Sequence, residues 1–174
     1  MNSNLIITIG REYGTGGREI GQKLALRLGV PFYDRELITH AAKKTGFDEK
    51  LFEQLDKRAT NSFLYSLTMF GSVGLNGMSL TDQLYLAQSN IIREMAEDSS
   101  CVIVGRCADH VLRDFPNKFD FFIHGSIEDR VKRVQTCGDY VIEGKTPEAA
   151  LEKMDKQRST YYNYYTGKVW GKCD

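Results

Sequence analysis

Glycines and an arginine follow a short apolar run near the start of the chain, in an arrangement that could bind phosphate. The run Leu5–Ile9 leads into the sequence GREYGTGGREIG, which begins at residue 10. Glycine accepts positive φ, so a turn built on Gly14, Gly16 and Gly17 lets main-chain amides approach an anion closely. A helix after the turn would point its positive N-terminal end at the same place. The order of strand, glycine turn and helix therefore predicts a phosphate-binding loop.

This loop departs from the usual pattern GxxxxGK[ST] at its functional side chains. When Gly16 is aligned with the glycine before the lysine, Gly17 stands in place of the lysine. Arg18 is the nearest cation, and an arginine can bind two phosphate oxygens through its planar guanidinium. Glu19 lies one place beyond the usual magnesium-binding hydroxyl, where it could bind Mg²⁺ or interact with the helix N-terminus. A tight turn without any ligand is the alternative interpretation of the motif.

A second candidate, Arg106, follows the apolar run CVIV at 101–104 and a glycine. Ligands of open α/β sheets bind at the carboxyl ends of the strands, so this position favours a ligand-binding role. Arg130 and Arg133 lie one helical turn apart in a predicted helix and would share one face. Taken alone, these two arginines are interpreted as solvated helix charges.

The elements that must hold these residues alternate between strands and helices. Strands are predicted at 5–9, 30–34, 101–104 and 119–125, all but the second as buried strands. Helices are predicted after the glycine turn, through 84–95, after the capping box of Ser126, and after Thr146 with proline at the first helical position. The segment 61–82, apolar and dotted with glycine, predicts a lid-like loop. The alternation as a whole predicts a mostly parallel sheet with helices on both faces.

Composition restricts the classes of function. A chain of 174 residues can bury one substantial core, and its 23 Lys and Arg balance 23 Asp and Glu. No net basic field favours nucleic acid or an anionic membrane as partner, and the apolar start is too short for a signal peptide or membrane span. Four scattered cysteines and three histidines lack metal-ligand or disulfide spacing, which predicts reduced thiols in the cytoplasm. The tyrosines of the sequence YYNYY (161–165) are predicted to pack rather than to stack on a base.

Five stretches, in one order along residues 5–171, resemble the cytidylate kinase-like family, a branch of the P-loop nucleoside monophosphate kinases. They are ITIGREYGTGGREIGQKLA, PFYDRELI, VIVGRCADHVL, GSIEDRVKRV and DKQRSTYYNYYTGKVWG. The resemblance implies a single domain (1–174) with a three-layer α/β/α P-loop kinase fold, a monophosphate-binding insertion near 35–97 and a lid near 126–167. It also implies transfer of the γ-phosphoryl group of ATP, with Mg²⁺, to a nucleoside monophosphate such as CMP or dCMP.

The resemblance assigns roles to individual residues. Contacts to the ATP phosphates are implied for Gly14, Thr15, Gly16, Gly17, Arg18, Arg130 and Arg133. Contacts to the acceptor are implied for Asp34, Arg35 and Arg106, and catalysis for Arg18, Lys156 and Arg158. Glu19 is the candidate magnesium ligand.

Two departures from the family pattern leave alternatives open. Val104 stands where related kinases carry an aspartate, so both usual anchors of Mg²⁺ are absent. Family members usually continue beyond the sequence WGKCD into a further strand and helix, without which a sheet edge would be uncovered. The alternatives are a nucleotide-binding regulatory module without catalysis and a P-loop kinase for another small acceptor. No sequence pattern indicates the oligomeric state.

Overall fold

The computed structural model describes residues 4–34, 80–138, 140 and 146–172. The elements in chain order are β1 (Ile6–Arg11), α1 (Gly17–Leu28), β2 (Phe32–Tyr33), α2 (Leu80–Asp98), β3 (Cys101–Val104), α3 (Ala108–Val111), β4 (Lys118–Ile123), α4 (Ile127–Thr136) and α5 (Pro147–Thr166). Arg35 and most of the predicted insertion lie outside the described residues. The predicted loop 61–82 is wrong at its end, because α2 already begins at Leu80. The bounds of the insertion and of the lid stay predictions.

The four strands form one parallel sheet in the order β2-β3-β1-β4. Both β1 and β3 are apolar without alternation because helices cover both of their faces. Ile6 and Ile103 pack towards α2 and α3, whereas Ile7 and Val102 pack towards α1. The predicted α/β fold with a parallel sheet between two helical layers is confirmed.

Strand β4 differs from its prediction as a buried strand. Phe119 and Phe121 leave 57% and 54% of their surface exposed, while Phe122, on the other face, packs against Trp170 with ring centroids 5.0 Å apart. The reason is position, because β4 lies at the edge of the described sheet and pairs there with β1. Phe122 is therefore covered, whereas Phe119 and Phe121 are open to solvent.

Local capping signals place the helices that surround the glycine loop. Helix α1 ends at Gly29, whose φ is +66°. Helix α4 begins after Ser126, whose hydroxyl accepts the Asp129 amide at 3.1 Å. Helix α5 begins after Thr146, whose hydroxyl accepts the Ala149 amide at 3.2 Å. The predicted starts of α4 and α5 are confirmed, and both helices begin with a satisfied N-cap.

Within the described residues, no helix has the length and apolar character that crossing a bilayer requires.

Candidate functional site

The glycine loop connects β1 to α1 at the carboxyl end of the sheet. Gly14 and Gly16 adopt φ of +82° and +76°, as predicted for this glycine turn. The prediction of positive φ is wrong for Gly17, which is the first residue of α1. A Cβ at Gly17 would instead lie 2.7 Å from the Cβ of Arg11, so this glycine is required by close approach. Thr15 holds the turn through a 2.9 Å hydrogen bond from its hydroxyl to the Glu12 carbonyl.

Arg130 connects this loop to helices α4 and α5. Its Nε donates to the Tyr13 carbonyl at 2.7 Å, and its guanidinium forms an ion pair with Asp155. Asp155 also accepts the Tyr13 amide at 2.7 Å, and Glu12 lies 3.4 Å from the Arg130 guanidinium. The Arg130 side chain is only 8% exposed, so it is not the solvated charge that spacing alone suggests. Binding of ATP phosphate by Arg130 stays a prediction that would require exchange of these partners.

Arg133 lies against the same loop from α4. A Cβ at Gly16 would lie 2.9 Å from the guanidinium carbon of Arg133, whose Nη1 contacts a Glu19 oxygen at 2.9 Å. Lys23 contacts the other Glu19 oxygen at 2.6 Å. These hydrogen bonds, the one from Lys23 first, hold the pKa of Glu19 below its usual value. The structure thus places Arg133 beside the loop, while its contact with ATP phosphate and a magnesium-binding role for Glu19 stay predictions.

Arg18 and Asp34 form an ion pair with each other. Arg18 is predicted to contact ATP phosphate and to act in catalysis, and Asp34 is predicted to contact the acceptor. The Arg18 Nε contacts an Asp34 oxygen at 2.6 Å. Asp34 is buried, with 5% of its side chain exposed, and Arg18 leaves 54% exposed. Their roles in catalysis and acceptor binding stay predictions, and a substrate would have to replace this ion pair.

A cavity of about 340 Å³ opens at the carboxyl ends of β1, β3 and β4, beneath α5. Its basic lining residues are Arg11, Arg106, Arg158, Lys168 and Lys172. Its walls also include the acidic residues Asp109 and Asp120 and the aromatic residues Phe121, Phe122, Tyr161, Tyr162 and Trp170. Arginine forks and lysine ammonium groups in one concave site are suited to phosphate groups.

Arg106 projects from a strained turn into this cavity. Gly105, Arg106 and Cys107 adopt φ of +79°, +58° and +55° in succession. Left-handed backbone costs roughly 1–2 kcal/mol for a residue other than glycine, and such strain is concentrated at ligand and active sites. The Gly105 amide donates to the Ile9 carbonyl at 3.0 Å, and Arg106 donates to the buried Gln88 side chain at 3.3 Å. The position after β3 thus places Arg106 at the cavity, and its role in acceptor binding stays a prediction.

Arg158 enters the cavity from α5, and Lys156 does not. Arg158 donates to the Arg11 carbonyl at 3.0 Å, and its guanidinium carbon lies 5.2 Å from the centroid of the Tyr13 ring. Lys156 is exposed and is absent from the cavity lining within the part of the chain that the structure describes. Residues two apart in a helix face different directions, so the catalytic role of Lys156 stays a prediction.

The tyrosines of α5 fasten this helix over the cavity. Tyr165 stacks on Tyr85 of α2 with centroids 3.9 Å apart, and the Tyr162 hydroxyl donates to Asp109 at 2.5 Å. Burial raises the pKa of Tyr161, Tyr162 and Tyr165 well above its usual value. The predicted packing role is confirmed for these three tyrosines, whose hydroxyls remain neutral hydrogen-bond donors, whereas Tyr164 is 50% exposed.

Arg11 is the cavity residue that the sequence interpretation missed. Its signal was present, because Arg11 stands where the pattern GxxxxGK has its first glycine once Gly16 and Gly17 occupy the last two positions. An arginine at a position that is normally glycine requires neighbouring residues to leave space for its side chain. That space is provided by Gly17 and Gly105, at both of which an added Cβ would collide with Arg11.

Comparisons with known proteins identify the family of the chain and related folds. The model of the cytidylate kinase-like family matches residues 6–174. An uncharacterized protein from Eubacterium ventriosum is similar to this chain, with 30% identity, a TM-score of 0.67, and coverage of 97% of this chain and 82% of that one. A shikimate kinase from Bacteroides thetaiotaomicron shares 16% identity and the fold, with a TM-score of 0.54 and coverage of 91% and 82% respectively. No curated protein matches the sequence significantly.

Proposed function

The chain belongs to the cytidylate kinase-like family, and from this premise we propose that it transfers the γ-phosphoryl group of ATP to a nucleoside monophosphate. CMP and dCMP are the first candidate acceptors. The family and the shared kinase fold support phosphoryl transfer. The observation that carries the proposal is the cavity that gathers Arg106 and Arg158 at the sheet edge where the glycine loop begins.

The chemistry of this transfer suits the residues present. An acceptor phosphate oxygen bonds to the γ-phosphorus while the bond to the β–γ bridging oxygen breaks, and ADP leaves with that electron pair. Negative charge spreads over the equatorial oxygens, so positioned cations supply most of the catalysis. In this proposal Arg106 binds the acceptor phosphate and Arg158 contacts the transferred group. The amides of residues 14–17 bind the donor phosphates at the N-terminus of α1.

The residues fit a polyphosphate better than they fit a metal ion. Gly14 and Gly16 form a turn of positive φ, and the Arg133 guanidinium lies beside Gly16. Among residues 4–34, 80–138, 140 and 146–172, no three His, Cys, Asp or Glu side chains form a group that could hold a metal ion. Mg²⁺ usually keeps several waters and binds substrate phosphates with one or two carboxylates. The proposal therefore routes no step through a metal site of the protein.

A coupled ADP-release assay with ATP, Mg²⁺ and a panel of CMP, dCMP, UMP and AMP tests this proposal. We expect turnover with the cytidine nucleotides, and we expect Arg106→Ala to raise the KM of the acceptor by roughly 10- to 100-fold. The reason is that a hydrogen bond to a charged group contributes about 1.5–3 kcal/mol. The KM of ATP should change little.

Arg113→Ala is the matched control, since Arg113 is 56% exposed and pairs with Asp114. Its kinetics should stay within about twofold of wild type, as is usual for an exposed surface substitution. A folded protein that turns over none of the four monophosphates contradicts the proposal.

The alternative, a nucleotide-binding module without catalysis, is favoured by one observation. Two cations near the loop are engaged by carboxylates, Arg18 by Asp34 and Arg133 by Glu19. Calorimetry distinguishes the two functions, because the module would bind ATP to the same extent without Mg²⁺ and release no ADP in the presence of any acceptor.

We propose that the partners of the protein are small nucleotides and that it acts in the cytoplasm. The balanced charge of the sequence supports small-molecule partners. Free thiols support a reducing compartment, since Cys101, Cys107 and Cys137 are unbridged. Burial raises the pKa of the Cys101 thiol to about 11 and that of Cys107 further, so neither is a reactive thiolate.

A further inference from the structure

The Arg11 side chain begins in the space that a side chain at residue 17 would need. Its Cβ and Cγ lie 2.7 and 2.8 Å from the position of a Cβ built on Gly17. The Cβ is fixed by the Arg11 backbone, in the last position of β1, so it cannot swing aside as the end of a long side chain can. A lysine at residue 17 and the arginine at residue 11 therefore exclude each other in this backbone.

The other end of the Arg11 side chain reaches the cavity. Its guanidinium occupies the space beside Gly105 that a Cβ there would fill, with the guanidinium carbon 3.3 Å from that position. Arg11 lines the cavity together with Arg106 and Arg158. Arg158 also donates to the Arg11 carbonyl at 3.0 Å, which fixes the end of β1. The Arg11 side chain thus begins beside Gly17, the first residue of α1, and ends in the cavity where the proposed phosphoryl transfer would take place.

We propose that Arg11 supplies the phosphate-binding cation that residue 17 supplies in lysine-bearing phosphate loops. The inference rests on the proposed function, because it requires a polyphosphate at the glycine loop. In the usual loop the lysine reaches the β- and γ-phosphates. A guanidinium offers a planar pair of donors for the same oxygens. Arg18 is less suited to this role, since it binds Asp34 and contributes nothing to the described cavity lining.

Calorimetric titration with ATP compares wild type with Arg11→Gln, which retains most of the side-chain length and removes the charge. We expect the Kd of ATP to rise at least about tenfold, since a charge-assisted hydrogen bond contributes about 1.5–3 kcal/mol. The matched control is Arg27→Gln, an equal loss of charge at an exposed position in the last turn of α1. This control should bind ATP within about twofold of wild type.

A double variant tests whether the cation can be returned to residue 17. Arg11→Gly should weaken ATP binding, and Arg11→Gly/Gly17→Lys should recover most of the loss because removal of the Cβ and Cγ of residue 11 gives the lysine both the space and the target. Gly17→Lys alone should bind ATP more weakly than wild type, since the two side chains would collide. A merely structural role of Arg11 would give no recovery in the double variant.

The outcomes separate the inference from the function on which it rests. A folded wild-type protein that does not bind ATP overturns both. ATP binding by wild type together with unchanged binding by folded Arg11→Gln overturns the inference alone. If circular dichroism shows that Arg11→Gln is unfolded, the double variant decides. Affinity close to that of wild type supports the inference, and an unfolded or at least about tenfold weaker double variant overturns it.

Discussion

The face of α4 above the glycine loop and the cavity beneath α5 each carry two arginines, but the protein holds the two pairs differently. On α4, Arg130 and Arg133 make ion pairs with carboxylates. In the cavity, Arg106 and Arg158 donate to neutral oxygens, an amide side chain and a main-chain carbonyl. The hydrogen bonds described for the two pairs thus differ in the charge of the acceptor.

A carboxylate acceptor cancels most of the charge of a guanidinium, whereas a neutral acceptor orients the guanidinium without cancelling its charge. The contacts made by the α4 arginines therefore serve to hold the loop and the helices together. The described hydrogen bonds of the cavity arginines orient the two guanidinium groups through neutral acceptors, which suits groups that bind phosphate. We expect substitutions on α4 to change mainly the free energy of unfolding, and substitutions in the cavity to change mainly kinetics.

The largest expected effect is on turnover, through Arg158. Arg158→Ala should lower kcat by about 10³-fold and the KM values little, because an arginine that contacts the transferred phosphoryl group acts mainly in the transition state. Steady-state kinetics with ATP and the acceptor identified in the ADP-release assay give both parameters. Arg158→Lys should retain part of the activity, since it keeps the charge and loses the planar fork.

Lys153→Ala is the control for a lost charge on the same helix, since Lys153 is exposed and outside the described cavity lining. It should leave kcat within about twofold of wild type.

Lys156→Ala tests whether the neighbouring cation of α5 also acts in catalysis. A drop in kcat as large as that of Arg158→Ala would mean that α5 turns in the catalytic state and that the cavity arrangement described above is not the reactive one.

The next effect is on stability, through the α4 pair. Arg130→Ala removes a nearly buried partner of Asp155 and of the Tyr13 carbonyl, so it should lower the free energy of unfolding by about 3 kcal/mol. Arg133→Ala, one helical turn away, removes an ion pair of side chains 38% and 50% exposed and should cost below about 1 kcal/mol. Urea unfolding measures both. Equal losses would contradict the distinction between a buried and a screened pair.

The parts of the fold that short stretches of sequence determine were predictable. An apolar run without alternation identifies β1 and β3, and the caps Ser126 and Thr146 identify the starts of α4 and α5, because each signal involves residues close in the chain. The exposure of Phe119 and Phe121 was not predictable from their own segment. Whether a strand is central or at an edge depends on strand order, which is a property of the whole sheet.

The site was predictable in position but less so in its contacts. The sequence places Arg106 and the glycine loop at one sheet edge, which the structure confirms. The pairing of Arg18 with Asp34 and the burial of Arg130 depend on contacts between distant segments. Arg11 was missed because the residue it packs against is Gly17. A glycine that is needed to leave space for another side chain gives no signal of this in the sequence.

The smallest effect is a pH dependence of the Glu19 ion pair. Lys23 and Arg133 hold the Glu19 pKa below 4.5 in the folded protein, so the folded state favours the charged form. This contribution to stability is therefore fully present above the ordinary pKa and disappears as pH falls through the lowered pKa. Wild type should unfold at a slightly higher Tm than Glu19→Gln near neutral pH, and the two Tm values should converge in the window below 4.5.

Thermal unfolding followed by circular dichroism from neutral pH to below that window, at low and high salt, measures the difference. Salt should reduce it because the pair is exposed. A Tm difference that persists unchanged through the acid window contradicts the ion-pair account of Glu19. Addition of Mg²⁺ without nucleotide then tests whether Glu19 also binds the metal ion. A rise in Tm for wild type and none for Glu19→Gln would show that Glu19 binds the ion and that the two cations around it yield to a metal.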